Sequence, residues 1–264
     1  MMITPELKMI ETPGGAISYR ESGSGPVLLL MHGIGGNSRS WRNQLETLSD
    51  HFHVIAWDAP AYGKSVERVA SLEEYTVAVI EFLDALSITN VNLLGHSMGG
   101  VVAQGVAGFH PARVTKLILS STFMGHGAAE SSPLGQGYLA RLEDIKNMSP
   151  SEFGRARASS MVAPSASSET CKEVASIAAE VTYRGLLAGC KMLHHADTRG
   201  LIANFKMPVL VLTGEHDSVV VPARSEEMAG LIYEAKTEQL LGVGHAGYLE
   251  DPKKFNLALK NFLN

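Results

Sequence analysis

Gly95-His96-Ser97-Met98-Gly99 is the stretch on which the reading of this chain turns. An apolar run, 91–94, precedes it, and a small-residue segment with helical spacing, 100–109, follows. The pattern predicts a strand, a sharp turn with a serine at its tip, and a helix. A nucleophile on so tight a turn sits in an unfavourable backbone conformation, and side chains two positions to either side would strike the neighbouring strand and helix. Gly95 and Gly99 remove those side chains. The turn lifts the Ser97 hydroxyl above the sheet, beside free N–H groups and the positive dipole end of the helix, which favour an anion there. Alone, the pentapeptide also fits an ordinary glycine-rich turn, and the flanking chain decides between the two.

On the N-terminal side, residues 7–12 and 16–21 flank Pro13-Gly14-Gly15 as a hairpin of two short strands. The unbroken apolar run 27–31 suits a strand buried on both faces, as in a parallel sheet. It ends in His32-Gly33-Ile34-Gly35-Gly36, whose glycines let backbone N–H groups approach a ligand. Ser38 or Ser40 is placed to cap a helix reaching about residue 48, with Trp41, Leu45 and Leu48 along one side. A strand at 51–57 leads into the turn 58–65, and Ser71-Leu72-Glu73-Glu74 opens the next helix with a capping-box pattern. Beyond the central stretch come strands at 114–120, 208–212 and 237–241, a helix at 222–232, and a last helix that begins at Asp251-Pro252. This alternation predicts an α/β fold with a mostly parallel central sheet and helices on both faces. Ligands bind such sheets at the carboxyl ends of the strands, where the 33–36 loop and Ser97 both fall.

Between 122 and 205 the rhythm breaks. No strand pattern occurs there, and 134–148, 151–161, 168–181 and 182–195 have helical spacing. The expected organisation is a core domain of residues 1–121 and 206–264 with a helical lid, 122–205, inserted across the mouth of the site. Phe123, Met124, Met148, Met161 and Met192 are candidates to line an adaptable apolar pocket beneath it, although core filling suits each methionine as well. Arg155, Arg157 and Arg184 are candidate carboxylate ligands, with solvent exposure as the competing reading.

A serine hydroxyl is a poor nucleophile at neutral pH. It needs a base within hydrogen-bond reach, and the base needs a partner that fixes its tautomer. Asp217 and His245 each follow a predicted late strand, at the same sheet edge as Ser97 and in the order serine, acid, histidine. His245 is therefore read as general base and then acid, and Asp217 as the group that orients it, with Glu215 the rival acid. The oxyanion of a tetrahedral intermediate would be met by the backbone N–H groups of Met98 and Ile34, with Gly35 a substitute for the latter. His32 and His96 lie inside tight turns and read as structural. His194 and His195 sit on the expected lid without a third metal ligand at suitable spacing, so no metal and no cofactor is called for.

The 264 residues are 45% apolar and 19% charged, enough for one large domain with a substantial core. A net charge of -5 without a dense Lys/Arg cluster argues against nucleic acid or an anionic membrane surface as partner. The first residues lack an apolar signal-peptide core, and no run is long enough to span a bilayer, so a cytoplasmic location is expected. Cys171 and Cys190 read as reduced structural thiols. A small-molecule substrate is the expected partner, and a homo-oligomer is left open.

The motifs together resemble the α/β-hydrolase superfamily over nearly the whole chain. They comprise His32-Gly33 with its glycine loop, Asp58-x-Pro60-x-x-Gly63-x-Ser65, Gly95 to Gly100, Gly214-Glu215-His216-Asp217 and Gly244-His245. The resemblance implies the α/β-hydrolase fold and the lid-bearing branch of esterases, lactonases and C–C hydrolases. Ala61 departs from it, since the family turn often has glycine there. Dehalogenases and epoxide hydrolases of this superfamily carry an aspartate where this chain has Ser97. Ring-cleavage hydrolases commonly have Ser-Gly-Pro-Gly in the oxyanion loop and a tryptophan after the catalytic histidine, where this chain has Gly33-Ile34-Gly35-Gly36 and Ala246. Residues 245–250 resemble 3-oxoadipate enol-lactone hydrolases and small carboxylesterases. The expected activity is cleavage of small carboxylic esters or lactones through an acyl-enzyme on Ser97. The alternatives are hydrolysis of a C–C bond in a vinylogous diketone from aromatic-ring cleavage, and a non-catalytic small-molecule receptor.

Overall fold

The computed structural model describes residues 4–264. In chain order the N-terminal half holds β1 (Lys8–Ile10), β2 (Ile17–Ser22), β3 (Val27–Met31), α1 (Arg42–Thr47), β4 (His53–Trp57), α2 (Leu72–Ala85), β5 (Val91–His96), α3 (Met98–Phe109) and β6 (Val114–Ser120). Five helices follow without a strand: α4 (Gln136–Asn147), α5 (Pro150–Met161), α6 (Ser168–Ala178), α7 (Tyr183–His195) and α8 (Arg199–Ile202). The chain ends with β7 (Val209–Gly214), α9 (Pro222–Gly230), β8 (Lys236–Leu240), α10 (Gly247–Glu250) and α11 (Pro252–Leu263). Among the described residues no helix is long and apolar enough to cross a membrane.

The strands form one sheet in the order β1-β2-β4-β3-β5-β6-β7-β8. Only the β1–β2 and β2–β4 pairings are antiparallel. The middle positions of the central strands are apolar because both of their faces are covered. Leu29, Met31, Leu93, Leu117 and Leu119 point to the face packed by α2 and α3, while Leu28, Leu30, Leu94, Ile118 and Leu212 point to the face packed by α1 and α11. Each fully buried leucine of this kind contributes about 1.5–3 kcal/mol relative to an exposed one. The register pairs Met31 with Gly95, His96 with Ser120, and Ser120 with Leu212. The loops after β3, β5, β6 and β7 therefore leave the sheet at one edge.

The first helix departs from expectation at its start. Asn37, not Ser38 or Ser40, caps a short 3-10 turn, Ser38–Trp41, with its side chain accepting from the Arg39 N–H at 2.9 Å. The Ser38 N–H is already committed to Asp58 Oδ1 at 2.6 Å, a contact across 20 residues that local sequence does not reveal. Within the helical segment the caps follow the local pattern, with Ser149, Ser167 and Thr182 each accepting from a first-turn N–H. Leu142, Phe153, Leu186 and Cys190 form a small core of their own there. Cys171 and Cys190 are unpaired.

Gln104, fully buried in α3, ties this segment to the sheet. Its amide donates to the carbonyls of Gly100 and Phe123, both at 3.0 Å, and its oxygen accepts from Thr198 Oγ1 at 2.6 Å. Thr198→Val keeps the shape but leaves that buried oxygen without a donor, so the folded state should lose about 1–3 kcal/mol. Urea unfolding measures this directly, and an unchanged midpoint would show that the network carries no stability.

Candidate active site

β5 ends at His96, and Ser97 adopts φ 51° and ψ -114° before α3 begins. A residue with a β-carbon rarely occupies this region. Four hydrogen bonds hold it: the Ser97 N–H donates to the Ser120 carbonyl at 2.9 Å, and the Ser97 carbonyl accepts from the Gly100 N–H at 2.9 Å, the Val101 N–H at 3.3 Å and Thr122 Oγ1 at 2.7 Å. A β-carbon at Gly95 would lie 2.6 Å from Gly100 Cα, and one at Gly99 2.6 Å from the Met31 carbonyl carbon. Both are closer than van der Waals contact allows, so strand, turn and helix pack this tightly only with glycine at the two positions.

The β3 loop approaches the same point. A β-carbon on Gly33 would sit 3.0 Å from Ser97 Cβ, which brings the following residue, Ile34, to the rim of the serine. His32 fixes this loop by joining its Nδ1 to the Gly33 carbonyl at 2.9 Å, while its Nε2 accepts from the Ala59 N–H at 3.0 Å. The pair of bonds assigns the proton to Nδ1. Burial lowers the His32 pKa, which keeps the ring neutral. The adjoining turn is locked by Asp58, which also accepts from Ser18 Oγ, and by Ser65, which donates to the Asp58 carbonyl at 2.7 Å. Ala61 takes φ 71°, the left-handed conformation that glycine adopts freely, so the turn keeps its shape and carries the strain of a β-carbon.

On the other side of Ser97, His245 Nδ1 lies 2.8 Å from Asp217 Oδ2. The second carboxylate oxygen, Oδ1, accepts from the N–H groups of Val219 and Val220, both at 2.9 Å. Both oxygens are engaged, and the side chains of acid and histidine are buried. Glu215 turns away to accept from the Gly242 N–H at 2.8 Å at the solvent rim. No hydrogen bond joins the Ser97 hydroxyl to His245. His96 stands between the loops instead, its ring 4.6 Å from that of His245 and 4.9 Å from Tyr248. Glu250 braces the His245 loop, accepting from the Gly244 N–H at 3.0 Å and the Ala163 N–H at 2.7 Å. Burial raises its pKa.

Above Ser97 opens a cavity of about 340 Å³, within the usual range for small-molecule sites. Its walls include Ile34, Phe123, Leu193, Val219 and Val220. A family model for the alpha/beta hydrolase fold matches residues 26–252. The chain belongs to the alpha/beta hydrolase fold family. Similar members include 3-oxoadipate enol-lactonase 2 of Acinetobacter baylyi, 26% identical over 252 residues that cover 93% of this chain and 92% of the relative. The (E)-2-((N-methylformamido)methylene)succinate hydrolase of the same organism is 29% identical, with 93% of each chain covered. The crystal structure of a hydrolase from Pseudomonas aeruginosa superposes with a TM-score of 0.86, at 26% identity and 98% coverage of both chains.

In this member of the family, the structure gathers Ser97, Ile34 and Phe123 around the cavity and packs the His245 ring of the Asp217–His245 pair against His96, the residue before Ser97. The Met98 N–H lies in the first turn of α3, where a helix offers it no acceptor of its own. The four methionines do not line the cavity. Met124 and Met192 are buried in the main core, Met148 packs on the small helical core, and Met161 packs on the opposite face of the sheet. An apolar side-chain type in a helical segment does not say onto which core the residue packs. Arg155 and Arg184 bind Ser151 and Glu67 at the surface, and Arg157 is half-buried away from the cavity, its pKa lowered to about 10 by burial and then by Arg141. Arg141 and Arg224 line the cavity instead. Neither lies in a recognisable motif. Thr122 and Ser225, whose hydroxyl donates to the Thr122 carbonyl at 2.6 Å, support the site equally without a sequence signature. Among the described residues no group of three or more His, Cys, Asp or Glu side chains is placed to hold a metal ion.

Burial, and then the neighbouring His245, push the His96 pKa well below the ordinary value of 6.5. Below pH 6.5 the unfolded chain therefore binds more protons at this residue than the folded one. This contribution to stability is complete above pH 6.5 and is lost as the pH falls toward the folded-state value. His96→Phe keeps an aromatic ring and removes the titration, so its melting temperature should decline less steeply below pH 6.5 than that of the parent protein. Equal slopes would place the acid sensitivity elsewhere.

Proposed function

We propose that this chain is a serine hydrolase of small carboxylic esters or lactones, working through an acyl-enzyme on Ser97. The observation that carries the reading is the buried Asp217–His245 hydrogen bond at the same sheet edge as the strained Ser97 turn. With Nδ1 given to the carboxylate, His245 has Nε2 free to take the Ser97 proton as Oγ attacks the scissile carbonyl. A bond forms from Oγ to the carbonyl carbon, and the carbonyl oxygen becomes an oxyanion facing the N–H groups of Ile34 and Met98. His245 returns the proton to the departing alcohol, or to the ring oxygen of a lactone, as the carbon–oxygen bond breaks. Water, deprotonated by His245, then cleaves the acyl-enzyme. The helical segment between β6 and β7 acts as a lid that excludes bulk water and shapes the acyl site, as Gly189 of α7 suggests by seating against Ile34, Tyr62 and Met98. The relatives named enol-lactonase and succinate hydrolase support hydrolysis of a small acyl compound.

A panel of activated esters and lactones tests this reading. Ser97→Ala should reduce turnover by at least about ten-thousandfold without unfolding the chain, and Asp217→Asn should cost about the same by misplacing the imidazole. A burst of released alcohol and an acyl adduct on Ser97 should accompany turnover. Full activity in Ser97→Ala on every substrate would refute the mechanism.

A further inference from the structure

The cavity over Ser97 is charged in one sense only. Arg141 from α4 and Arg224 from α9 line it, and no Asp or Glu does. Among the described residues neither arginine forms an ion pair, although eight Lys or Arg ion pairs occur elsewhere among them. Arg224 lies 4.1 Å above the face of Phe123, a contact that positions the guanidinium but leaves its N–H donors without an acceptor. His194, also in the lining, is nine-tenths buried, and its Nε2 has no hydrogen-bond partner. A buried donor or acceptor without a partner costs about 1–3 kcal/mol, so a wall with this inventory lacks a polar group that would satisfy it.

The two cations line the same cavity. Tyr138, whose pKa burial pushes up to about 12, lies close enough to both arginines for each to oppose that rise. The Tyr138 ring stands 6.2 Å from His194 and 5.7 Å from His126. Phe123, Leu193, Val219 and Val220 supply apolar wall in the same cavity as Ser97 and the arginines. The cavity thus offers a nucleophile, apolar surface and cations to one ligand.

We propose that the substrate carries a carboxylate on its acyl portion, separated from the scissile carbonyl by a short apolar chain and held by Arg141, Arg224 and His194. This rests on the ester or lactone hydrolase reading. Guanidinium groups pair with a carboxylate through charge-assisted, fork-shaped hydrogen bonds, which an uncharged acyl chain of the same length cannot make.

The test compares para-nitrophenyl half-esters of succinate, glutarate and adipate with uncharged para-nitrophenyl esters of the same chain lengths. For at least one length kcat/KM should favour the carboxylate by tenfold or more. Arg141→Gln and Arg224→Gln should each lower that ratio about tenfold, with partial recovery in Arg→Lys, while Arg155→Gln, at the surface, should leave it unchanged. A ratio near one at every length, or one that ignores both cavity arginines, overturns the carboxylate site and leaves the hydrolase reading intact. Absence of turnover on all esters counts against the hydrolase reading. The carboxylate site is then judged by calorimetric titration of glutarate and pentanoate into Ser97→Ala protein. Preferential glutarate binding that the arginine substitutions weaken at least tenfold supports it, and equal or absent binding overturns it.

Discussion

Ser97 holds a positive φ because both of its backbone polar groups are claimed by neighbours: its N–H by the end of β6, and its carbonyl by Thr122 and the first turn of α3. A conformation of this kind costs on the order of 1–3 kcal/mol and persists only where the surroundings over-determine it. Those surroundings are the parallel register itself. Once Met31 pairs with Gly95 and His96 with Ser120, the β3 loop, the serine and the β6 exit meet at one point, with no room for side chains at Gly95 or Gly99. A large two-faced core holds the register, so the precision of the site derives from the burial of leucines and valines far from it.

Electrostatics then divide the space around Ser97. Behind it sit histidine rings and a carboxylate in a buried network: His32 with its proton assigned, His96 packed on His245, and Asp217 with both oxygens engaged. In front lies a cavity whose charged residues are arginines alone. The two halves come from different parts of the chain. The first is built by loops at the strand ends, and the second draws on α4, α7 and α9.

How far this was legible follows from the range of the interactions. Strand β3 is readable to the residue because burial on both faces leaves an unbroken apolar run, and β6 because Leu117, Ile118 and Leu119 form such a run at its centre. The assembly of Ser97, Asp217 and His245 at one edge is readable because each follows a strand. The Asn37 cap was hidden by Asp58, which takes the Ser38 N–H from another strand end. The short helices α8 and α10, four residues each, have no periodicity to detect. The pocket residues were least legible. Met124 and Met192, expected to line the pocket, pack into the core instead, while Arg141 and Arg224 carry no local mark of the cavity that they reach.

The brace formed by Glu250 has a mechanical side. The end of α5 is tied to the His245 loop by the Glu250 bonds to Ala163 and Gly244 and by the Ala246 N–H, which donates to the Met161 carbonyl at 3.0 Å. The end of helix α5 and the loop that carries the histidine are thus joined by hydrogen bonds on both sides of His245. The start of α4 is different: a β-carbon at Gly135 or Gly137 would meet nothing within 4 Å. Both glycines border the cavity, so its rim at the α4 end is open space, whereas the end of α5 is bonded to the loop that carries the imidazole.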